Sequence, residues 1–228
     1  MRARSFVCLQ RENAAQTCAA ALAPFAALCL NRDIAFHKQA RKAQGENDMK
    51  NILVVVDMQK DFVDGALGSP AAQAIVPAVC AAIADVRYDG IFVTLDTHGE
   101  HYAETLEGRL LPVPHCIRGT AGWALDAAVA AELSTKKWES VEKPTFGSET
   151  LAAALAGETG GAADACVTFC GLCTDICVVS NALLLRAACP NLPLRVLADA
   201  CAGTSEAAHA AALATMRSCQ IEVCESNA

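Results

Sequence analysis

The segment from Cys166 to Asn181 constrains the fold of this chain more than any other. It begins with β-branched and aromatic residues, which predict a buried strand, and Gly171 then interrupts the run. Thr174 or Asp175 can cap a helix that continues beyond this point. Cys177 is therefore predicted to lie in the first turn of a helix, immediately after the end of a strand.

A cysteine at that position suits nucleophilic chemistry. The free backbone N–H groups and the dipole of the helix favour a thiolate and can hold an oxyanion, so Cys177 is a candidate nucleophile. The alternative is a buried structural cysteine, because free cysteines are often fully buried. The segment alone does not decide between these two interpretations.

Short apolar runs alternate with predicted helices from residue 52 onward. The run Ile52–Val56 is continuously apolar, as expected for a parallel strand covered on both faces. Strands that alternate with helices predict right-handed βαβ units and an α/β, doubly wound sheet. The strands are predicted at 52–56, 91–95, 137–141, 165–169, 194–197 and 221–224, and the helices at 71–86, 124–133, 148–155, 204–216 and around Cys177.

Reactive residue types recur where predicted strands end. Asp57, Asp96, Lys143 and Cys177 each come at or just after the carboxyl end of a strand. Open parallel sheets bind their ligands along that edge. These four residues, far apart in sequence, are therefore predicted to converge in one crevice.

Asp57, Lys143 and Cys177 form the first candidate constellation. A thiol needs a nearby base and a positive field to attack a carbonyl at neutral pH. The carboxylate can take the thiol proton, and the lysine can hold both groups and lower the pKa of the thiol. The alternative is a capping aspartate, a surface lysine and a core cysteine. The position of all three at strand ends favours the catalytic interpretation.

The second constellation is the loop that follows Asp96. Three of the five histidines of the chain, His98, His101 and His115, lie within 98–115. Asp96, His98 and His115 offer a carboxylate and two imidazoles for a divalent ion such as zinc, iron or manganese, and Glu107 or His101 could complete the set. The alternative is a polar surface loop with hydrogen-bonded histidines.

Two further side chains have simpler interpretations. Phe62 follows the first strand and could form a wall for a flat ring substrate, or it could be ordinary core packing. His209 lies outside both constellations and is interpreted as structural.

Composition excludes several classes of protein. The chain is 54% hydrophobic, which supports a full core, and its net charge of −7 argues against a nucleic-acid partner. No apolar run reaches the roughly 20 residues of a membrane span. The thirteen cysteines are scattered and odd in number, which indicates reduced thiols and a cytoplasmic location.

The first 48 residues differ from the rest. They carry seven basic and four acidic residues, and Met49 is followed by a sequence typical of a protein start. We expect 1–48 to be an N-terminal extension that activity does not require, and 49–228 to be the functional domain.

Five motifs in the same order together resemble the isochorismatase-like cysteine hydrolases and, among them, the nicotinamidases. The resemblance covers about residues 49–226, and the block Thr174–Val178 is its most specific part. The motifs are Asp57–Phe62, Asp96–His98, Pro114–Thr120, Lys143–Phe146 and Gly171–Val178.

The resemblance implies a three-layer α/β/α fold with a mostly parallel six-stranded sheet. It also implies that Asp57 is the general base, Lys143 the electrostatic partner and Cys177 the nucleophile of an amidase that works through a thioester. The backbone N–H groups of Cys177 and Cys173 would hold the oxyanion. A non-proline cis peptide, here Leu172–Cys173, would precede the second donor. Members that cleave isochorismate lack the nucleophilic cysteine, so Cys177 counts against that activity.

The resemblance also implies a metal site. Asp96, His98 and His115 would be ligands, Glu107 is a better fourth candidate than His101, and the metal would bind the pyridine nitrogen and orient the ring. Members of the family are often oligomers, so a homo-oligomer is possible.

Three functional hypotheses follow. The first is a metal-assisted nicotinamidase, and the second is an amidase for another small carboxamide or carbamoyl compound. The third is a non-catalytic thiol or metal-binding module that uses Cys170, Cys173 and Cys177. The third predicts that metal is bound through sulfur.

Overall fold

A six-stranded, all-parallel sheet forms the centre of the structure, a computed structural model that describes residues 49–225. The strands lie in the order β3-β2-β1-β4-β5-β6. Helices cover both faces of the sheet, so the predicted α/β/α architecture is confirmed. The strands are β1 (Lys50–Val56), β2 (Gly90–Asp96), β3 (Glu139–Lys143), β4 (Ala165–Leu172), β5 (Leu194–Ala202) and β6 (Glu222–Cys224).

Eight α-helices connect the strands of the described region. A 3₁₀ turn spans Tyr102–Glu104, and a π-helical turn spans Thr174–Val178. The helices are α1 (Lys60–Val63), α2 (Pro70–Ala74), α3 (Val76–Ala84), α4 (Leu106–Leu110), α5 (Ala127–Leu133), α6 (Glu149–Thr159), α7 (Val179–Ala188) and α8 (Glu206–Ser218).

The central strand β1 is buried along its apolar run, as predicted. The side chains of Ile52–Val56 are fully buried, and β1 pairs with β2 on one side and β4 on the other. Gly171 of β4 lies opposite Val56 with φ of +111°, and a Cβ there would collide with the Val56 carbonyl. A glycine is therefore required where the segment that carries Cys177 leaves the sheet.

Several predicted boundaries were wrong, and three of them bear on the sheet and the helix that follows its first strand. The helix predicted at 71–86 is two helices that meet at Ile75, because Pro77 lacks an N–H and cannot continue a helix through that point. The third strand is shifted to Glu139–Lys143 and ends at Lys143 itself. The fifth strand does not end at residue 197 but continues to Ala202, because pairing with β4 resumes after an irregularity between Phe169 and Gly171.

The chain divides into two units, residues 1–48 and 49–228. The extension predicted for 1–48 lies outside the described residues, so its dispensability stays a prediction. In the part that is described, no helix has the length and apolar character needed to cross a membrane.

Candidate active site

The four strand-end residues lie together at one edge of the sheet. Asp57 directly follows β1, Asp96 and Lys143 are the last residues of β2 and β3, and Cys177 lies in the π-helical turn after β4. All four are buried. Parallel pairing places Asp96 opposite Lys143, so the convergence follows directly from the register of the sheet.

Lys143 connects the carboxylate and the thiol. Its Nζ lies 2.6 Å from Oδ2 of Asp57 and donates a hydrogen bond of 3.3 Å to Sγ of Cys177. The side chains of Lys143 and Asp57 are almost completely shielded from water. The three predicted residues therefore form one buried, contiguous group.

The protonation states favour a thiol that needs a base. Burial, and then the negative charge of Asp57, raise the pKa of Cys177 well above its ordinary value despite Lys143. Burial also raises the pKa of Asp57, although Lys143 opposes this. Lys143 opposes the rise in the pKa of Cys177, as expected from its charge, but burial and the neighbouring Asp57 act in the other direction.

Thr94 and Gln59, which sequence reasoning missed, hold the aspartates in place. The Thr94 hydroxyl donates to Oδ1 of Asp57 over 2.5 Å, and the Asp57 N–H donates back to that hydroxyl. The Gln59 side-chain amide exchanges two hydrogen bonds with the backbone of Asp96, at 2.7 and 2.9 Å. Thr94 could have been found in the sequence, because it is the polar residue of the otherwise apolar run 91–95.

The turn that carries Cys177 is stabilised differently from the prediction. Neither Thr174 nor Asp175 caps the helix, since the residue before the π-helical turn is Cys173, whose side chain makes no capping bond. The Thr174 hydroxyl instead pairs with Nδ1 of His209 at 2.8 Å, which agrees with a structural histidine. The Asp175 carboxylate accepts from the N–H and hydroxyl of Thr204.

Two other features of this turn bear on the nucleophile. The Leu172–Cys173 peptide is cis, as the resemblance implied. The buried side chain of Asn181, another residue missed in the sequence, donates to the Cys177 carbonyl at 2.8 Å and accepts from the Ser148 N–H at 2.9 Å. Asn181 thus ties the turn to the start of α6.

Asp96, His98 and His115 form a buried cluster beside the lysine. Oδ2 of Asp96 lies 3.0 Å from Nε2 of His98 and 3.5 Å from Nε2 of His115. The two oxygens of Glu107 lie 3.8 and 3.6 Å from the same two nitrogens. The His101 side chain is 85% exposed and pairs with Glu104 instead. The structure therefore brings Glu107, and not His101, to the cluster.

The donor set fits a divalent cation. Ligand atoms of Asp96, His98 and His115 all lie within 4.8 Å of one another. Nε2 of His98 is buried without a hydrogen bond of acceptable geometry, and Nδ1 of His115 donates to the Val113 carbonyl at 2.9 Å, which leaves its Nε2 free to bind a metal. Two imidazoles with carboxylates suit zinc, iron or manganese.

The charge on Asp96 is favoured although it is buried. Burial opposes the carboxylate, but the imidazoles of His115 and His98, together with Lys143, hold the pKa of Asp96 below its usual range. The Tyr102 ring packs edge-on against both imidazoles, and its hydroxyl donates to the Leu111 carbonyl at 2.8 Å. Tyr102, also missed in the sequence, therefore supports the orientation of the two histidines.

One cavity of about 400 Å³ is lined by members of both groups. Cys177 and Cys173 line it on one side, and Asp96, Glu107 and His115 line it on another. Phe62 also lines it, with its ring 5.4 Å from the His115 ring, and its role as a wall for a flat substrate stays a prediction.

The structure does not support a sulfur-ligated metal site. Within residues 49–225, the one group of three or more side chains placed to hold a metal is Asp96, His98 and His115. Cys170 is fully buried within β4, whereas Cys173 and Cys177 line the cavity. The third functional hypothesis is therefore not favoured.

Comparison with known proteins agrees with this site. An isochorismatase domain matches residues 51–228. The chain is 30% identical over 193 residues to the nicotinamidase/pyrazinamidase of Mycobacterium tuberculosis, an alignment that covers 76% of this chain and 98% of that protein.

Solved structures show the same similarity. A nicotinamidase/pyrazinamidase from Bacillus subtilis is 27% identical with a TM-score of 0.65, over 78% of this chain and 100% of that one. A pyrazinamidase from Pyrococcus horikoshii in complex with zinc is 27% identical with a TM-score of 0.62, over 77% of this chain and 99% of that one. Because the matched domain spans most of the sequence, this chain belongs to the isochorismatase family.

Proposed function

We propose that this protein is a metal-assisted cysteine amidohydrolase that converts nicotinamide and water to nicotinate and ammonia. Its relatives establish the reaction class, since the protein is a hydrolase that acts on the C–N bond of carboxamides. One observation carries the finer proposal. Lys143 contacts both Asp57 and Cys177, and the cavity that Cys177 lines is also lined by Phe62 and by Asp96, Glu107 and His115 of the carboxylate–imidazole cluster.

In the proposed reaction, Asp57 takes the proton from the Cys177 thiol as sulfur attacks the carboxamide carbon. Lys143 stabilises the Cys177 thiolate while Asp57 holds the proton. It stabilises the Asp57 carboxylate again once that proton has been passed on. The tetrahedral oxyanion accepts hydrogen bonds from the backbone N–H groups of Cys177 and Cys173. Asp57 then returns its proton to the leaving nitrogen, so that ammonia departs and a thioester remains.

Water completes the cycle. Asp57, again a carboxylate, removes a proton from a water molecule as its oxygen attacks the thioester carbon. The second tetrahedral adduct collapses, the Cys177 sulfur takes back the proton that Asp57 holds, and the acid product leaves and loses its proton to water as nicotinate. The raised pKa of Asp57 suits it to both roles, because a base nearer neutrality transfers protons in both directions more readily.

Asp96, His98, His115 and Glu107 would hold the divalent ion. When bound, such an ion supplies a Lewis-acidic contact for the pyridine nitrogen and thereby helps to orient the ring. Phe62 would pack against that ring. Zinc, iron and manganese are the candidates.

The proposal is tested by measuring ammonia release from nicotinamide with the full chain, loaded in turn with zinc, iron and manganese. We expect release by the wild type and none by Cys177→Ser. Metal content is measured on both proteins. Absence of release from both proteins, at full metal occupancy, would refute the nicotinamide assignment and direct the search to other small carboxamides and carbamoyl compounds.

We also propose that the protein works in a reducing, cytoplasmic compartment. All ten cysteines among residues 49–225 are free thiols. Scattered unpaired cysteines of this kind are typical of proteins that are not exposed to oxidising conditions.

A further inference from the structure

The outer wall of the catalytic cavity is apolar and exposed. Leu110, Phe146 and Leu111 line the cavity that contains Cys177, yet they are 77%, 49% and 37% exposed. Large apolar side chains grouped in this way, rather than scattered singly, indicate a binding surface. Leu67 and Ile176 line the same cavity and are half-buried. We call these five residues the apolar annex.

The annex offers few groups to a polar ligand. Besides the reactive side chains, the polar side chains that line the cavity include the hydroxyls of Ser69 and Thr204. The Ser69 oxygen accepts from the Ala72 N–H at the start of α2, and the Thr204 hydroxyl donates to Asp175 at 2.6 Å. Each hydroxyl thus makes one bond that holds a wall, and the five annex side chains carry no polar atom, so the annex selects apolar ligand groups.

The cavity is also larger than the proposed reaction needs. Its volume of about 400 Å³ lies in the range of pockets that enclose drug-sized ligands. A single six-membered ring with a carboxamide fills only part of that volume. The annex bounds the remaining volume. If nicotinamide alone were bound, the apolar side chains of the annex would stay in contact with water.

We propose that the annex binds an apolar substituent carried on the ring, so that the preferred substrates are alkyl- or aryl-substituted pyridine carboxamides. This inference rests on the proposed function, because it assumes that the carboxamide lies at Cys177. If the ring nitrogen also faces His115, the substituent belongs at ring position 5, which is meta to both the nitrogen and the carboxamide.

A second copy of the chain could cover the same surface. The observations favour a substrate, because Leu110, Leu111 and Phe146 are walls of a concave cavity that they share with the nucleophile. A flat apolar face away from the reactive groups would favour a subunit contact instead.

The test compares three substrates of the zinc-loaded full chain: nicotinamide, 5-propylnicotinamide and 5-(methoxymethyl)nicotinamide. The last two match in size and differ in polarity. We expect kcat/KM for the propyl compound to exceed that for nicotinamide by at least about tenfold, since one methylene in an apolar pocket is worth about that factor. The methoxymethyl compound should show no such gain. Equal kcat/KM values for all three would overturn the proposal.

Substitutions in the annex test whether it causes the preference for the propyl compound. Leu110→Ser and Phe146→Ser should each reduce the propyl-to-nicotinamide ratio of kcat/KM by about tenfold. Leu106→Ser is the matched control, because Leu106 lies on the same helix and is 66% exposed but does not line the cavity of Cys177. An equal loss in Leu106→Ser would contradict the proposal. The proposal would also be contradicted if Leu110→Ser kept the propyl-to-nicotinamide ratio of kcat/KM but changed the oligomeric state measured by sedimentation. That result would assign the surface to a second copy of the chain.

A binding measurement separates this inference from the proposed function. If no compound is hydrolysed, the proposed function fails, and calorimetry still tests the annex with nicotinate and 5-propylnicotinate. Binding of the propyl acid at least about tenfold tighter, lost in Leu110→Ser and kept in Leu106→Ser, would support the annex. Equal affinity, or no binding of either acid, would overturn it.

Discussion

Oδ1 of Asp96 lies 3.7 Å from Nζ of Lys143, and these two residues are direct partners in the register of β2 and β3. The other oxygen of Asp96 faces the two imidazoles. One carboxylate therefore contacts both the proposed catalytic group and the proposed metal site. A variant that tests one of these sites must therefore leave the other site unchanged.

Replacement of Cys177 by serine should abolish turnover and leave metal binding intact. We expect kcat to fall at least about a thousandfold, because a hydroxyl at this site is a much weaker nucleophile than a thiol. Cys177 does not belong to the Asp96, His98 and His115 group, so zinc content by elemental analysis should equal that of the wild type. Cys219→Ser, at a free thiol that does not line the cavity, is the control and should keep the turnover of the wild type. Equal activity of Cys177→Ser and wild type would refute the nucleophile.

Loss of metal should depend on which histidine of the loop is removed. His98→Ala should weaken zinc binding at least about a hundredfold, since it removes one donor of the cluster. His101→Ala, from the same loop but exposed and paired with Glu104, should bind zinc like the wild type. Competition with a zinc chelator measures both affinities. If His101→Ala lost zinc instead, the fourth-ligand assignment of Glu107 would be wrong.

Lys143 should be needed for stability as well as for catalysis. Lys143→Met leaves the buried Asp57 without its partner, and breaking a buried ion pair in this way costs about 3–5 kcal/mol of unfolding free energy. The double variant Asp57→Asn/Lys143→Met should recover part of the loss, because no uncompensated charge remains. Urea denaturation measures the unfolding free energies. Lys60→Met, which breaks an exposed pair with Asp64, should cost far less.

The acidic limb of the pH profile of kcat/KM should report the ionisation of Asp57. Burial raises the pKa of this carboxyl, and the base is active only when ionised, so kcat/KM should fall as the pH decreases through a value above the ordinary aspartate range. The Thr94 hydroxyl donates to the carboxylate and lowers that pKa. Thr94→Val should therefore move the limb upward by about one pH unit, the shift that corresponds to one lost hydrogen bond.

Thr94→Ser is the matched control for this shift, because it keeps the hydroxyl. Its limb should coincide with that of the wild type. A limb that moves equally in Thr94→Val and Thr94→Ser, or a downward shift in Thr94→Val, would contradict the assignment of Asp57 as the base. Thermal unfolding measured at each pH separates this titration from acid denaturation.

Removal of residues 1–48 should leave activity unchanged. The isochorismatase domain match begins at residue 51, so the matched domain does not include the extension. The truncated chain, residues 49–228, is compared with the full chain, both are loaded with zinc, and kcat/KM is measured for each. A loss of activity in a truncated protein that still unfolds cooperatively would show that the extension contributes to the site.

Local sequence patterns determined the architecture and the main reactive groups. The apolar run 52–56, followed by Asp57, predicted a strand end with a carboxylate because a strand covered on both faces needs apolar residues throughout. The same logic placed Asp96, Lys143 and Cys177 at one edge, since parallel strands share the direction of their carboxyl ends. The glycine before the Cys177 turn is required because β4 approaches β1 too closely for a Cβ.

Tertiary structure alone decided what surrounds those groups. The resemblance favoured Glu107 over His101, but the contacts of Glu107 depend on how the loop folds back onto His98 and His115. The raised pKa of Cys177 depends on its burial beside Asp57, which the local helix pattern does not show. The apolar annex combines side chains from separate segments of the chain. Local pattern sets which face of an element is apolar, but desolvation and the walls of a cavity arise only when distant elements pack together.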